Sequence, residues 1–313
     1  MKVIEQLKSL AIVATHNGIF HTDEVAAYCL LCVVCRRLGI DSPGALIRTR
    51  DPLMLESCSM WFDVGLEHDP EKLRFDHHQE DDSLPKRENG ILYSSFGLVF
   101  DWLKPAMLEM GLDEHDLAEF EILYVLPIDA SDNGQDLVSE YNFAGTNRYV
   151  RPVALQNLIN SYRPRWDEEA DADVCFMEAC GVMRRFLDDK IGQLLASHKV
   201  RKFVDEAVAR CGTEAKILDF NGAFFPWQTA VLESGSLALF VVFFDNASGT
   251  WRVQAVPKSL GSFENRAKLP TMDELPKDSR LAEGLTFIHK AGFIAGGTKE
   301  ACLALAEYAI SRL

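Results

Sequence analysis

Apolar and polar positions alternate along the chain in two registers, and the switch between them marks out the elements. Ala11-Ile12-Val13-Ala14 is a short continuous apolar run, predicting a buried strand. Thr22 then stands as a helix N-cap, with Asp23 and Glu24 in the first turn, an apolar helix over 25–38, Arg36 and Arg37 near its end and Gly39 as its stop. Residues 45–47 and 60–62 predict further short strands. A helix over 94–108, interrupted near Pro105, precedes another over about 114–126. Strands alternating with helices over 11–165 predict a doubly wound, mostly parallel sheet with helices on both faces.

A basic, proline-containing stretch over 147–166 carries Arg148, Arg151, Arg163 and Arg165. Asp167-Glu168-Glu169 then opens a long helical region to about Arg210. Beyond Gly212 the pattern predicts strands over 215–220, 229–232 and 237–244, and a hairpin loop over 245–249 leading into a strand over 251–256. A strand over 286–289, a glycine loop over 292–297 and a helix over 298–313 close the chain. The expected organisation is an α/β domain over 1–165, then a linker helix and a smaller α+β domain over 166–313.

Composition narrows the class. A length of 313 residues, 48% hydrophobic and 25% charged, suits two ordinary globular domains, and no apolar run reaches the length of a membrane span. Residues 1–14 lack a secretory cleavage pattern, so an intracellular location is expected, with cytoplasm, nucleus and mitochondrion all open. Eight cysteines in a chain of this size fit a reduced compartment, and Cys29, Cys32 and Cys35, set among Val, Leu and Ala along one helix face, are expected to be core. With 32 basic and 47 acidic residues the net charge is 32 − 47 = −15, ill suited to coating long nucleic acid. A short or single-stranded anion in a locally positive cleft remains compatible, and bound divalent ions would offset part of the charge.

Five constellations carry candidate chemistry. Between the first strand and helix, His16, Asn17, His21, Asp23 and Glu24 fall within a few residues. Two imidazoles and a carboxylate at such a point make divalent-metal ligands, or else a polar turn with a cap. Asp63 ends the apolar run 60–62 ahead of Val64-Gly65, either as a ligand or as a turn former. In Arg74-Phe75-Asp76-His77-His78-Gln79, Asp-His-His lacks a strong propensity reason in a strand or helix: one ring can face a metal and the other the substrate, with Asp76 orienting a ring, or else the string is a surface polar turn. In Ile128-Asp129-Ala130-Ser131-Asp132-Asn133-Gly134 the last three residues read as a turn and Asp129 as the candidate. Gly296, Gly297 and Lys299 at a helix start suit a phosphate or a plain capped turn, and His289 just before them suits a substrate-facing role. Arg48, Arg50 and Arg74 are candidates for lining a phosphate site, while His68, His115 and His198 are expected at the surface.

Taken in order, these residues resemble the DHH phosphoesterase superfamily. More closely, they resemble the melanocyte-proliferating-gene family, labelled metal-dependent hydrolase and exonuclease. The family strings are His16-Asn17-Gly18-x-Phe20-His21-x-Asp23-Glu24, Arg48-Thr49-Arg50-Asp51, Arg74 to Gln79, Ile128 to Gly134, Trp251 to Pro257 and Ile288-His289 to Lys299. Leu66-Glu67-His68 and Ala295 depart from the family pattern. The resemblance implies a DHH-like catalytic domain and two divalent ions bridged by Asp63, one held by His16, His21 and Asp63, the other by Asp23, Asp63, His77 and Asp129. His-rich ligation favours Mn²⁺, with Mg²⁺ admitted. His78 and Asp76 complete the catalytic group. Asn17, Arg50, Arg74, His289, Gly296, Gly297 and Lys299 are the expected substrate contacts, and a hinge over 147–170 would let the domains close. The implied activity is 3′–5′ exonucleolytic hydrolysis of short or single-stranded RNA. A nucleotide or pyrophosphate phosphohydrolase and a non-catalytic metal-binding regulator are the alternatives. No membrane partner is expected, and a dimer is compatible. A protease finds no support, because no His-Glu-x-x-His helix occurs.

Overall fold

The computed structural model describes residues 2–79, 84–135, 141–142, 149–150, 153–276 and 280–313. Two compact units meet in sequence between Leu195 and Ala196. The first opens with α1 (Lys2–Ser9), an element absent from the sequence expectations. Then follow β1 (Ile12–Thr15), α2 (Thr22–Arg37), β2 (Ala45–Arg48), α3 (Pro52–Glu56), β3 (Met60–Phe62), β4 (His68–Asp69) and β5 (Arg74–Phe75). The strands run β2-β1-β3-β5-β4 across the sheet, all parallel except the short antiparallel edge β4.

Both faces of this sheet are covered, as a parallel sheet requires. Val13, Met60 and Phe62 point into the main core, with Val25, Leu30 and Val34 of α2. Their neighbours Ala14 and Trp61 point the other way, onto Leu55, Cys58 and Val64. Each fully buried large side chain contributes about 1.5–3 kcal/mol. The helix over residues 94–108 is α4 (Ser95–Glu109), and it passes through Pro105 as one helix where an interruption was expected. Next come α5 (Glu114–Phe120), a π-helical turn (Glu121–Val125) and α6 (Leu126–Asp132), so the helix expected over 114–126 continues to Asp132. Two-residue strands β6 (Tyr141–Asn142) and β7 (Tyr149–Val150) pair with each other, and α7 (Leu155–Asn160) follows. Arg148 and Arg151 lie outside the described residues, as does part of the expected hinge over 147–170.

The 40-residue helix α8 (Ala172–Cys211) carries the division between the units. The domain boundary expected at 165/166 precedes this helix; the contact division falls inside it.

In the second unit β8 (Ile217–Ala223), α9 (Gln228–Glu233), β9 (Phe240–Asp245), β10 (Thr250–Ala255), β11 (Leu285–Ile288), β12 (Ile294–Gly297) and α10 (Lys299–Ile310) form an α+β fold. Sheet order is β11-β12-β10-β9-β8, with only β8–β9 parallel. Two expectations fail here. Residues 229–232 are helical: Ala230 and Val231 bury against Trp227 and Leu218, so packing overrides the β-branched composition. The expected glycine loop over 292–297 is largely the strand β12. Among the described residues no helix is long and apolar enough to cross a membrane.

Candidate metal centre

The carboxyl ends of the parallel strands converge on one place, where ligands of such sheets gather. His16 follows β1, Asp63 follows β3, and Asp76, His77 and His78 follow β5. The N-terminus of α2 adds His21, Asp23 and Glu24. The cap of α2 is His21 rather than Thr22: its backbone N–H donates to Glu24 Oε1 at 2.7 Å.

Asp63 is the hub. It is buried and held at φ +56°, a left-handed conformation costly for a residue with a side chain. The turn continues through Gly65 at φ +95°, where a Cβ would lie 2.7 Å from Trp61 Nε1. One oxygen, Oδ2, lies 3.1 Å from His16 Nε2; the other, Oδ1, lies 3.3 Å from His77 Nε2. Ser95 Oγ donates to Oδ1 at 3.4 Å. Burial alone would favour protonated Asp63, but the two imidazoles outweigh it and hold the carboxyl far below the usual range.

Ligand atoms gather on both sides of Asp63. His16, His21, Glu24 and Asp63 place theirs within 4.8 Å of one another, as do Asp63, His77 and His78, and as do His21, Asp23 and Asp132. His16 Nε2 also lies 3.1 Å from Glu24 Oε1. Burial opposes its protonation, yet Asp63 and Glu24 prevail and push its pKa up to about 10. A cation at Nε2 is what these carboxylates demand, and a proton is the smallest one. Neither oxygen of Asp23, nor Oε2 of Glu24, has a hydrogen-bond partner among the described residues. Burial first, and then Asp63, Glu24 and Asp132, push the Asp23 carboxyl well above its ordinary value. Buried, crowded and unsatisfied carboxylates beside imidazoles are costly without a cation and fit a divalent ion.

Asp129 is not part of this cluster. Its Oδ1 accepts from Ser94 Oγ at 2.5 Å and from Gly97 N–H at 3.1 Å, and its Oδ2 from Arg87 Nη1 at 2.7 Å. Burial pushes its pKa up to about 6 against the pull of Arg87. A Cβ on Gly97 would meet Asp129 Oδ2 at 2.1 Å, so this approach requires glycine. The carboxylate that does reach the cluster is Asp132, with Oδ2 3.3 Å from His77 Nε2. Asp132 and Glu24 are therefore the residues that sequence reasoning passed over. Asp132 was hidden by an Asp-Asn-Gly string that also ends α6; Glu24 was hidden by its role as a capping residue.

Asp76 is buried and orients His78: its Oδ1 takes the His78 N–H at 3.1 Å and lies 2.7 Å from His78 Nδ1, while Oδ2 accepts from Leu66 N–H at 2.7 Å. That contact raises the His78 pKa. His78 is half exposed and lines a cleft of about 760 Å³ together with His16, His21, Arg50, Asp63 and Leu66. Arg50 donates to the backbone and side-chain oxygens of Asn17 and lies 3.0 Å from His16 Nδ1. Asn17 and Arg50 thus stand at the cluster.

Other expected substrate residues are engaged elsewhere. Arg74 stacks on Trp61 with its guanidinium 3.3 Å from the ring centre and donates to the carbonyls of Ser59, Lys72 and Leu73. Arg48 pairs with Asp173, donates to Gly18 O and stacks on Phe176. In the second unit Lys299 pairs with Asp219 at 2.7 Å and donates to Asn221 at 2.8 Å. Gly296 and Gly297 make room for close packing, since a Cβ would meet Arg252 Nη1 or Gly284 O at 2.2 Å. His289 Nδ1 accepts from Ala291 N–H at 3.2 Å, and its ring packs on Phe293.

Comparison with known proteins finds relatives along almost the whole chain. A family model described as MYG1_exonuc, Uncharacterised protein family (UPF0160), matches residues 12–310. The human protein named MYG1 exonuclease is 30% identical over 96% of this chain and 86% of its own length. The MYG1 protein C694.04c of Schizosaccharomyces pombe is also 30% identical, over 97% of this chain and 98% of its own. A solved structure of RecJ in complex with Mn²⁺ from Thermus thermophilus covers 100% of this chain at 15% identity and a TM-score of 0.30. The chain spans about half of that RecJ, 54%, and the likeness is too low to define the fold. Matched over almost its whole length by one family model and by relatives from human to fission yeast, the chain belongs to the MYG1 exonuclease family.

Proposed function

We propose that this protein is a two-metal phosphodiesterase, a 3′–5′ exoribonuclease acting on short or single-stranded RNA. The observation that carries this reading is the Asp63 carboxylate, whose two oxygens face His16 and His77 separately and which belongs to two groups of ligand atoms, one with His16, His21 and Glu24 and one with His77 and His78. His16, His21, Glu24 and Asp63 would hold one ion; Asp23, Asp63, His77 and Asp132 would hold the other. This set exchanges Asp129 for Asp132 and adds Glu24. When bound, the ions supply Lewis acidity towards a phosphoryl oxygen and acidify a bound water, and imidazole-rich ligation suits Mn²⁺.

The chain's own groups divide the remaining work. Asp63 sets the spacing between the two ligand groups. Asp76 fixes the His78 ring through Nδ1 and favours its protonated form, in which Nε2 would donate to a phosphate oxygen. Arg50 holds the Asn17 backbone beside His16 and offers a cationic edge on the cleft. The open cleft suits an extended strand. The name of the human relative supports exonucleolysis, and the 3′–5′ direction rests on the family resemblance.

The test is Mn²⁺-dependent cleavage of short RNA labelled at one end and then at the other. Stepwise shortening by wild type and none by Asp63→Asn is expected, with a loss of about 10³-fold or more. Intact RNA with wild type shown to bind Mn²⁺ would overturn the nuclease assignment.

A further inference from the structure

His21, which lines the large cleft, also lines a second cavity of about 200 Å³, together with Ser131, Asp132, Gln156, Asn160 and Arg163. Two of its polar atoms are buried and have no hydrogen-bond partner among the described residues: Arg163 Nε and Asn160 Oδ1. Arg163 comes from the basic stretch that the metal centre leaves unused. It follows α7 closely, and its backbone N–H donates to Asn160 O at 3.1 Å.

A guanidinium does not lose its charge, and this one, partly buried with its Nε enclosed and unpartnered, favours an anion beside it. No carboxylate pairs with Arg163 among the described residues, although Glu24 acts on it electrostatically. The acids around it, Asp132 and Glu24, belong to the ligand groups. Once those carboxylates face divalent ions, no described residue is left to balance Arg163, and an anion from solution can take that place. Water would satisfy the amide of Asn160 but would not balance the guanidinium. The cavity therefore offers a cation, an amide and the Ser131 hydroxyl beside His21 and Asp132, a donor set that recognises phosphoryl oxygens.

We propose that this cavity is a phosphate subsite and that Arg163 is its anchoring residue, binding a phosphate of the substrate or the phosphate group of the released product. The inference rests on the phosphodiesterase reading and deepens it, since His21 lines both this cavity and the large cleft.

The experiment is titration of inorganic phosphate into the full-length, Mn²⁺-loaded protein by calorimetry, alongside RNA cleavage. Wild type is expected to bind phosphate, and Arg163→Gln to bind it about tenfold or more weakly, the loss of one charge-assisted contact. The same variant should raise KM for RNA more than it lowers kcat. Asn160→Asp guards against a folding artefact: the new carboxylate would pair with Arg163, hold or raise Tm, and displace phosphate. Phosphate binding unchanged in both variants, or absent in wild type, overturns the subsite. Wild type that binds phosphate through Arg163 yet leaves RNA intact overturns only the nuclease reading. RNA cleavage with both variants indistinguishable from wild type overturns only the subsite.

Discussion

A buried carboxylate is either satisfied by its own protein or left waiting for a cation, and Asp129 and Asp132, one helical turn apart, fall on opposite sides of that line. Asp129 has Ser94, Gly97 and Arg87 around it, and Asp132 has His77 and other acids. Their substitutions should therefore act in opposite directions. Asp129→Ala leaves buried Arg87 with Glu121 alone and takes the acceptor from Ser94 and Gly97, which costs about 1–3 kcal/mol. In metal-free protein Asp132→Asn should be neutral or stabilising, because burial and Asp63 disfavour its charge. The same change should weaken Mn²⁺ binding about tenfold or more. Urea unfolding after chelation, paired with Mn²⁺ titration, reads both effects. A stability loss at Asp132→Asn matching that at Asp129→Ala would make Asp132 a structural residue and remove it from the ligand set.

At the scale of elements, α2 shows what a helix reveals in advance. Its run of Cys29, Cys32 and Cys35 packs inward, with Cys29 and Cys35 buried and Cys32 partly so. Burial pushes Cys32 up to about 11 and Cys35 up to about 12, and raises Cys29 well above a normal thiol. Iodoacetamide near neutral pH should therefore spare all three in folded protein and label them on unfolding, because the thiolate is the reactive form. Rapid native labelling at any of the three, mapped by mass spectrometry, would show that α2 opens. The apolar pattern made α2, β1 and β3 legible, and with them the strand ends that carry His16 and Asp63. Side-chain direction was not legible. Nothing in Asp-Ala-Ser-Asp says which aspartate turns to Arg87 and which to His77, because that depends on how α6 lies over α4. Gly296 and Gly297 show the same limit, since glycines that admit a phosphate and glycines that admit Arg252 and Phe287 look alike in one dimension. Residues 229–232 read as a strand because Thr229 and Val231 are β-branched, and tertiary burial reversed that local preference.

At the scale of the whole molecule, the net charge of −15 and the crowded carboxylates of Asp23, Glu24, Asp63 and Asp132 point to the same dependence. The metal-free fold carries repulsion that a divalent cation relieves, so ligand binding should appear as stability. A hundredfold excess of ion over its Kd contributes about 2.7 kcal/mol for each site. At roughly 2–4 °C per kcal/mol for a unit of this size, that is about 5–10 °C. All the candidate ligands lie in the unit Met1–Leu195, while the unit Ala196–Leu313 has its own core around Val253, Phe240 and Leu305. Calorimetric scans with Mn²⁺ and with chelator should therefore move the transition of the first unit and leave that of the second. If α8 couples the two into one transition, the whole transition should move. Asp63→Asn, which takes the charge from both ligand groups at once, should abolish the shift without lowering the metal-free Tm by a comparable amount. An unmoved scan at saturating Mn²⁺ would leave the buried carboxylates without their cation and overturn the metal assignment itself.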